Sequence, residues 1–463
     1  NPANPDSDNI ISSNNLLNMP QLTAYLQKLK SAQHIYIAYS GGIDSHVLLH
    51  LCATYPELKA KITAVYVHHG LQPKAESWAI HCQQQAAQVE VKFQLLRVNA
   101  FPKNGQSPEE AARDARYQAL EKLIHENDVL LVAQHQEDQL ETVLLQLFRG
   151  AGVQGLAAMP REIGFSQGKM LRPFLDVSKQ SIQEYAQTHH LTWVEDPTNQ
   201  CDDFDRNFLR NQIVPLLKTR WTNVAKTVSR SANHCANAQQ LLNELAENLF
   251  AQVMTGSPLN DWQSCTSTLS ISKLLQLDSN QQQLVIRQWF KQQNLQMPST
   301  DFIDNIFKTV IAAKPSAEPQ LKKSGIVIRR YQDKLYCSKD LPGFKNLEGL
   351  VWVQSENQIL LPDNSILQRY PAHSGIPVSL WQAANVTIKF RQGGEKISLA
   401  GRKGQHTLKN LFQENAIPPW ERDLIPLLYF DNILIAVADL WLSSQVQIEH
   451  QELCYKLKWQ KLS

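Results

Sequence analysis

Asp44 stands two positions after a pair of glycines in the run Ser40-Gly41-Gly42-Ile43-Asp44-Ser45, the chain's first concentration of chemistry. Glycines let main-chain N–H groups approach an anion closely, and a helix opening at this point would add its partial positive charge. The hydroxyls of Ser40 and Ser45 are further donors. Asp44 offers an oxygen where a Mg2+ ion bridging nucleotide phosphates would need one, or a carboxylate to orient an attacking group; an acid placed to suit a helix dipole is the plainer alternative. The loop has neither the GK[ST] ending of a Walker A motif nor the spaced glycines of a dinucleotide fingerprint.

A second group, His135, Asp138 and Glu141, recurs at intervals of three and shares one face if the segment is helical. Acids beside bound phosphates could coordinate Mg2+ or hold a cationic substrate. An amine nucleophile such as a lysine ε-amino group, with a reference pKa of about 10.4, must lose a proton before it attacks, and a neighbouring carboxylate can take it. A solvated, acid-rich helix start is the competing reading. Arg113 and Arg116, also three apart, suit the neutralisation of charge developing on phosphates, or else simple pairing with local acids. Arg206, Arg210, Arg402, Lys403 and Lys409 are candidates for nucleic-acid phosphate contacts, although each alone also reads as surface charge. His68 and His69, at a strand end, suit a core or turn role equally well.

These residues need elements to hold them. Ile35 to Tyr39 reads as a buried strand, and Val47, Leu48, Leu49 and Leu51 give a helical pattern after the loop. Strands are predicted at Ile62–Val67, Phe93–Val98, Val129–Ala133 and Thr192–Val194, with helices over 16–30, Ala75–Gln88 and from Ser107-Pro108-Glu109-Glu110 to about Asn127. That alternation implies an α/β fold with a doubly wound parallel sheet. Ligands in such sheets sit at the carboxyl ends of the strands, where the SGGIDS loop, His68-His69-Gly70 and the His135 segment all fall. Residues 149–173 read as a glycine-rich loop over the site. Beyond Pro215 the pattern becomes helical, over 222–250 and twice within 279–313. Strands return at 325–337, around 349–370, at 386–391 and at 427–438, with a helix near Leu408–Asn415.

A chain of 463 residues is too long for one core. The reading gives three domains: a catalytic one over 16–217, a mainly helical one over 218–345 and a small α+β one over 346–463. No apolar run approaches the length of a membrane span, and no signal peptide is visible in the polar first fifteen residues. Seven scattered cysteines without a C-x-x-C pair suit reduced thiols and a cytoplasmic protein. The net charge of +2 conceals a split. Residues 1–216 carry 18 Lys and Arg against 23 Asp and Glu, a net of −5, whereas 217–345 carry 16 against 9, a net of +7. A polyanion held mainly by the later domains fits that division.

Taken together, SGGIDS resembles the PP-loop of ATP pyrophosphatases. With VHHGL (67–71), EAARDARY (110–117), QHQEDQLETVLLQLFRGAG (134–152), WVEDPTN (193–199) and DRNFLRNQIVPLL (205–217), the chain resembles the bacterial tRNA(Ile)-lysidine synthetases. The likeness reaches the C-terminal region through KFRQGGEKI (389–397) and IPPWERDLIPLLY (417–429). It implies an N-terminal domain of the adenine-nucleotide α-hydrolase type, ATP as substrate with Mg2+, and free L-lysine and an isoleucine tRNA with a CAU anticodon as partners. ATP would adenylate the C2 oxygen of the wobble cytidine, and the lysine ε-amino group would then displace AMP. By the same resemblance Ser40, Gly41, Gly42, Ile43, Asp44 and Ser45 bind ATP and Asp44, Arg113, Asp138 and Glu141 are catalytic. His135, Asp138 and Glu141 bind lysine, and Asp44 holds the metal. Where the family usually has two adjacent aspartates this chain has Glu137-Asp138, and the role is carried to Asp138. The alternatives are a PP-loop tRNA thiolation enzyme, disfavoured by the missing cysteine pair, an amidotransferase-linked synthetase, and a non-catalytic tRNA-binding protein. Oligomeric state is not read from the sequence, a homodimer being one option.

Overall fold

The computed structural model describes residues 28–70, 74–102, 108–255, 267–314, 317–340, 347–446 and 448–461, together with Tyr25 and Phe344. Of the predicted elements, most of the 16–30 helix, Ser107 and the side chains of Pro108 and Glu109 lie outside the described residues, as does Leu71. The chain forms two compact units, Asn1–Leu241 and Leu242–Ser463.

The first unit is built on a six-stranded sheet. Its strands are β1 (Ile35–Ala38), β2 (Ile62–His68), β3 (Lys92–Arg97), β4 (Val129–Leu131), β5 (Glu162–Phe165) and β6 (Gly168–Leu171), in the order β3-β2-β1-β4-β6-β5. The first five in that order are parallel, and β5 closes the edge antiparallel to β6. The alternation of β1 explains the two-sided burial. Ile35 and Ile37 face a core containing Val47, Leu48, Cys82, Ile182 and Tyr185, whereas Tyr36 and Ala38 face the other core, around Leu120, Ile124, Leu130 and Val132. Helices α1 (Ile43–Ala53), α2 (Ala75–Gln88) and α5 (Lys179–Thr188) therefore cover one face, and α3 (Pro108–Glu121) covers the opposite one. Helix α4 (Gln136–Phe148) leaves β4 and packs Leu140 against Val214 and Ala225.

The topology decides where the chemistry meets. Strands β1 and β4 are parallel neighbours, Ile35 opposite Val129 and Ile37 opposite Leu131, and their connections run to opposite sides. This is the switch point of a doubly wound sheet, and both chemistry-bearing segments leave the sheet there. Two differences from the sequence reading bear on the site. The predicted loop over 149–173 contains the β5–β6 hairpin, which completes the parallel sheet. The predicted strand at Thr192–Val194 is extended chain outside the sheet, and Val194 N donates to Gly41 O at 2.9 Å, pinning the glycine loop from above.

In the second unit, Met254–Thr255, Thr268–Ser270, Lys334–Lys339, Ile326–Tyr331 and Gln320–Lys323 form one five-stranded antiparallel sheet in that order. The helices Ser279–Gln292 and Thr300–Asn305 cover it through Trp289, Phe290 and Phe302. That is more sheet than the helical pattern of the middle region signalled. A second core gathers Trp352, Trp381, Leu411, Phe412 and Phe430 among the C-terminal strands. There a hairpin of Lys396–Ser398 and Gln405–Thr407 leads into the helix Leu408–Glu414. Among the described residues, no helix is long and apolar enough to cross a membrane.

Candidate active site

The glycine loop is shaped by its own hydroxyls. Ser45 Oγ donates to Gly42 O at 3.0 Å and accepts from Ser40 N at 3.2 Å, and the two hydroxyl oxygens lie 3.2 Å apart. Gly41 has a φ of +81°, and a β-carbon there would lie 2.8 Å from Cys82 Sγ, so both conformation and space call for glycine. Gly42 is the N-cap of α1 and brings no side-chain acceptor. The first N–H groups of the helix, on Ile43, Asp44 and Ser45, thus face outward as an anion cradle. Cys82, beneath the loop, has its thiol pushed up to about 12 by burial and is held as a neutral thiol.

Across the switch point, His135 caps α4 in extended backbone geometry, and its N–H donates to Asp138 Oδ2 at 2.9 Å. Its ring nitrogens lie 3.3 Å from Glu137 Oε2, 3.5 Å from Asp138 Oδ2 and 3.8 Å from Asp44 Oδ1. This imidazole is the bridge between loop and acid helix. Burial works against its charged form, but Asp138, Glu137 and Asp44 outweigh burial and hold it above the ordinary histidine value. Asp138 in turn is held below the usual carboxylate range, burial being overcome by His135 and Arg210.

Glu141 is 1% exposed and carries two guanidinium groups. Arg206 Nε approaches Oε2 at 2.9 Å, while Arg210 places Nε 2.7 Å from Oε1 and Nη2 2.8 Å from Oε2. Arg210 Nη2 also reaches Asp138 Oδ1 at 3.1 Å, and Arg206 Nη2 reaches Thr142 Oγ1 at 3.1 Å. Both arginines, read from the sequence as nucleic-acid contacts, therefore point into the acid cluster. Arg113 lies on α3, exposed, with its guanidinium 5.6 Å from the Tyr117 ring centroid, on the sheet face opposite α1. Arg116 donates to His69 Nε2 at 3.3 Å at the end of β2. Arg402, Lys403 and Lys409 belong to the other unit, exposed on the Lys396–Thr407 hairpin and the helix that follows; Arg402 Nη1 pairs with Glu414 Oε2 at 2.7 Å.

Two residues central to this geometry, Lys179 and Lys218, were missed by the sequence reading, and a third, Glu137, was named there but given no role. Glu137 is buried, accepts from Lys179 N at 2.9 Å and Lys218 Nζ at 2.9 Å, and is driven down to about 2. Burial alone would raise it, but His135, Lys218 and the Lys179 N–H prevail. Lys179 also sends Nζ to Asp44 Oδ1 at 2.6 Å. The partners are 135 and 81 positions apart for Lys179–Asp44 and Lys218–Glu137, so no local pattern could reveal them.

This arrangement can bind an anion on main-chain donors, offer it one carboxylate, and present a buried imidazole–acid pair beside it. Comparison with known proteins gives the family. A PP-loop domain model matches residues 15–217, a TilS substrate binding domain model matches 269–336, and a TilS substrate C-terminal domain model matches 386–459. The chain is 40% identical over 422 residues to the tRNA(Ile)-lysidine synthase of Coxiella burnetii, covering 90% of this chain and 91% of the relative. The synthases of Methylococcus capsulatus (37% identical; 88% and 92% covered) and Pectobacterium atrosepticum (38%; 92% and 94%) are similar along the same extent. With such likeness running from the glycine loop to the C-terminal strands, the chain belongs to the tRNA(Ile)-lysidine synthase family.

Proposed function

We propose that this enzyme joins L-lysine to C2 of the wobble cytidine of an isoleucine tRNA with a CAU anticodon, at the expense of ATP. In the first step the C2 oxygen attacks the α-phosphorus and pyrophosphate leaves with the electron pair of the broken P–O bond. In the second, the lysine ε-nitrogen attacks C2, AMP departs with the former carbonyl oxygen, and the amine gives up a proton. The product is lysidine, and the codon read changes from AUG to AUA. The observation that carries this reading is the 3.8 Å approach of His135 to Asp44, which sets a nucleotide loop and an acid cluster at one switch point.

We assign triphosphate binding to Ser40, Gly41, Gly42, Ile43, Asp44 and Ser45, and phosphate neutralisation to Arg113. His135 and Asp138 would hold the lysine ammonium and receive its proton. Glu141, bound on both oxygens by arginines, serves that site by aligning Arg206 and Arg210. These two would meet the phosphate of the reacting nucleotide, leaving Arg402, Lys403 and Lys409 for more distant tRNA phosphates. Asp44 is the residue that would hold Mg2+. Because no group of three or more His, Cys, Asp or Glu side chains among the described residues could hold a metal ion by itself, such an ion would have to take its other ligands from phosphate oxygens and water. When bound, such an ion neutralises phosphate charge. The reading places the enzyme in the cytoplasm, where free lysine and tRNA meet.

Incubation with unmodified isoleucine tRNA, ATP and labelled lysine should put label into the tRNA. Label that fails to enter while ATP–pyrophosphate exchange persists would point to another nucleophile. Asp44→Asn should abolish that exchange and leave tRNA affinity within about twofold of the parent, because the loop binds nucleotide and other surfaces hold the tRNA. A large loss of tRNA binding would contradict the role of Asp44. A thiolation chemistry is less well supported, since it commonly uses a C-x-x-C pair to carry sulfur or a cluster and the seven cysteines contain none.

A further inference from the structure

The second unit contains a cavity of about 370 Å3, within the range of about 300–1,000 Å3 usual for small-molecule sites. Two parts of that unit line it. Gln320 and Arg329, opposite each other on the paired strands Gln320–Lys323 and Ile326–Tyr331, come from the 269–336 region, and Arg391, Trp420 and Asp423 come from the 386–459 region. Trp420 forms one wall. Tyr331 and Tyr336 brace it edge-on, with ring centroids 6.2 and 5.3 Å away, and the Arg329 guanidinium stands 5.3 Å from its ring centroid. Pro319 and Pro419 add apolar surface beside it. The charges facing this wall are close without being joined. Arg391 Nη1 lies 3.6 Å from Asp423 Oδ1 and Nε lies 4.0 Å from Glu395 Oε2, and Arg329 Nη2 lies 3.9 Å from Asp340 Oδ1. All three distances exceed hydrogen-bond length. The two arginine side chains are nevertheless only 14% and 19% exposed, for Arg329 and Arg391. Among the described residues, Arg391 Nε and Trp420 Nε1 are buried without a protein hydrogen-bond partner. Buried donors left unpaired cost free energy, so these point to an acceptor brought from outside.

We propose that this cavity binds a free amino acid, as its zwitterion and with an aliphatic side chain, and that the ligand ties the two regions together. The lining charges are balanced, Arg329 and Arg391 against Glu318 and Asp423, which leaves no surplus of positive charge for a nucleotide phosphate or an RNA backbone. An α-amino acid carries its carboxylate and its ammonium on one carbon. Arg391 and Asp423 present the complementary charges side by side, 3.6 Å apart. The carboxylate would accept from Arg391 and Arg329, and the ammonium would donate to Asp423 or to the exposed Glu318 at the rim. The side chain would lie on Trp420 and the two prolines, removing their apolar surface from water. A ligand held by Arg329 on one side and by Arg391 on the other spans both regions.

The test measures heats of binding to the full chain for L-leucine and for three probes: isocaproate, which lacks the ammonium, isoamylamine, which lacks the carboxylate, and AMP. Leucine should bind, and the two single-charge analogues should bind at least about tenfold more weakly, the scale of one charge-assisted hydrogen bond lost. Arg391→Met should weaken leucine binding by at least the same factor. Arg391 also stands 6.0 Å from the Phe412 ring centroid, at the edge of a core, so a second variant removes no charge. Gln320 is exposed, and Gln320→Trp should fill the cavity, keep the parent's fold and abolish leucine binding. Leucine should also raise the thermal midpoint of the parent but not of Gln320→Trp. Absence of binding by leucine would overturn the proposal. Isocaproate or AMP bound as tightly as leucine would replace it with a plain anion site, and leucine binding unchanged in both variants would place the site elsewhere.

Discussion

Arg210 makes three N–H···O contacts to two carboxylates, and Glu141 is sealed from water by it and by Arg206. Removing one partner from such a set leaves a buried charge uncompensated, which typically costs about 3–5 kcal/mol. Arg402, by contrast, is exposed and pairs only at the surface with Glu414, where an ion pair contributes about 0–1 kcal/mol. Arg210→Ala should therefore lower the urea midpoint of the first unit substantially, whereas Arg402→Ala should leave unfolding within about 0.5 kcal/mol of the parent. Comparable small effects from both would mean that Arg210 is surface charge, as one reading of the sequence allows. The arginines at 206 and 210 carry no local sign of this role: their acidic partner lies 65 to 69 positions earlier in the chain.

At the scale of elements, the β1–loop–α1 unit was legible because its signals are local: a β-branched strand, two glycines and an apolar helix face. The β5–β6 hairpin was not. Gly164, Gly168 and Lys169 interrupt its alternation, and the reason for Gly168 is tertiary, since a β-carbon there would lie 2.4 Å from Asp128 O on the approach to β4. Two buried groups at the switch point also set how the elements tolerate acid. His46, 2% exposed on α1 with Nδ1 2.6 Å from the Tyr39 hydroxyl, is pushed down to about 4 by burial and by His81 and His50. A depressed histidine favours the fold above the unfolded value of about 6.5, and that contribution is lost as pH falls from 6.5 to 4. Glu137 is depressed to about 2, so its contribution is present above about 4.5 and is lost from there down to 2. Each is worth on the order of 3 kcal/mol. Unfolding free energy measured against pH should thus decline in two successive windows. His46→Asn should flatten the upper one and Glu137→Gln the lower; a parent curve flat from 6.5 to 2 would contradict both assignments.

For the whole molecule, the cations proposed for the more distant tRNA phosphates lie outside the basic stretch 217–345, in residues 346–463, which carry 11 Lys and Arg against 11 Asp and Glu. The acidic N-terminal residues 1–216 contain the proposed reaction centre, where Arg206 and Arg210 are paired with Glu141 and Asp138, and the more distant phosphates of a tRNA are left to cations elsewhere. Arg402 and Lys403 lie in the Lys396–Thr407 hairpin, where Gly401 and Gly404 take positive φ, and Lys409 lies in the first turn of the next helix. All three are exposed and belong to the other unit. Each cation that neutralises a phosphate adds about 0.9 to the slope of log affinity against log salt on a duplex and about 0.7 on a single strand. Replacing all three by Gln should therefore weaken tRNA binding at low salt and reduce that slope by about 2 to 3, with the KM for ATP unchanged because the nucleotide loop is in the first unit. The partial neutralisation of Arg402 by Glu414 places the expected change toward the lower figure. A slope that does not move would remove this hairpin from the tRNA surface and shift the search to the basic strands Gln320–Lys323 and Ile326–Tyr331, which supply Lys322, Lys323, Arg329 and Arg330.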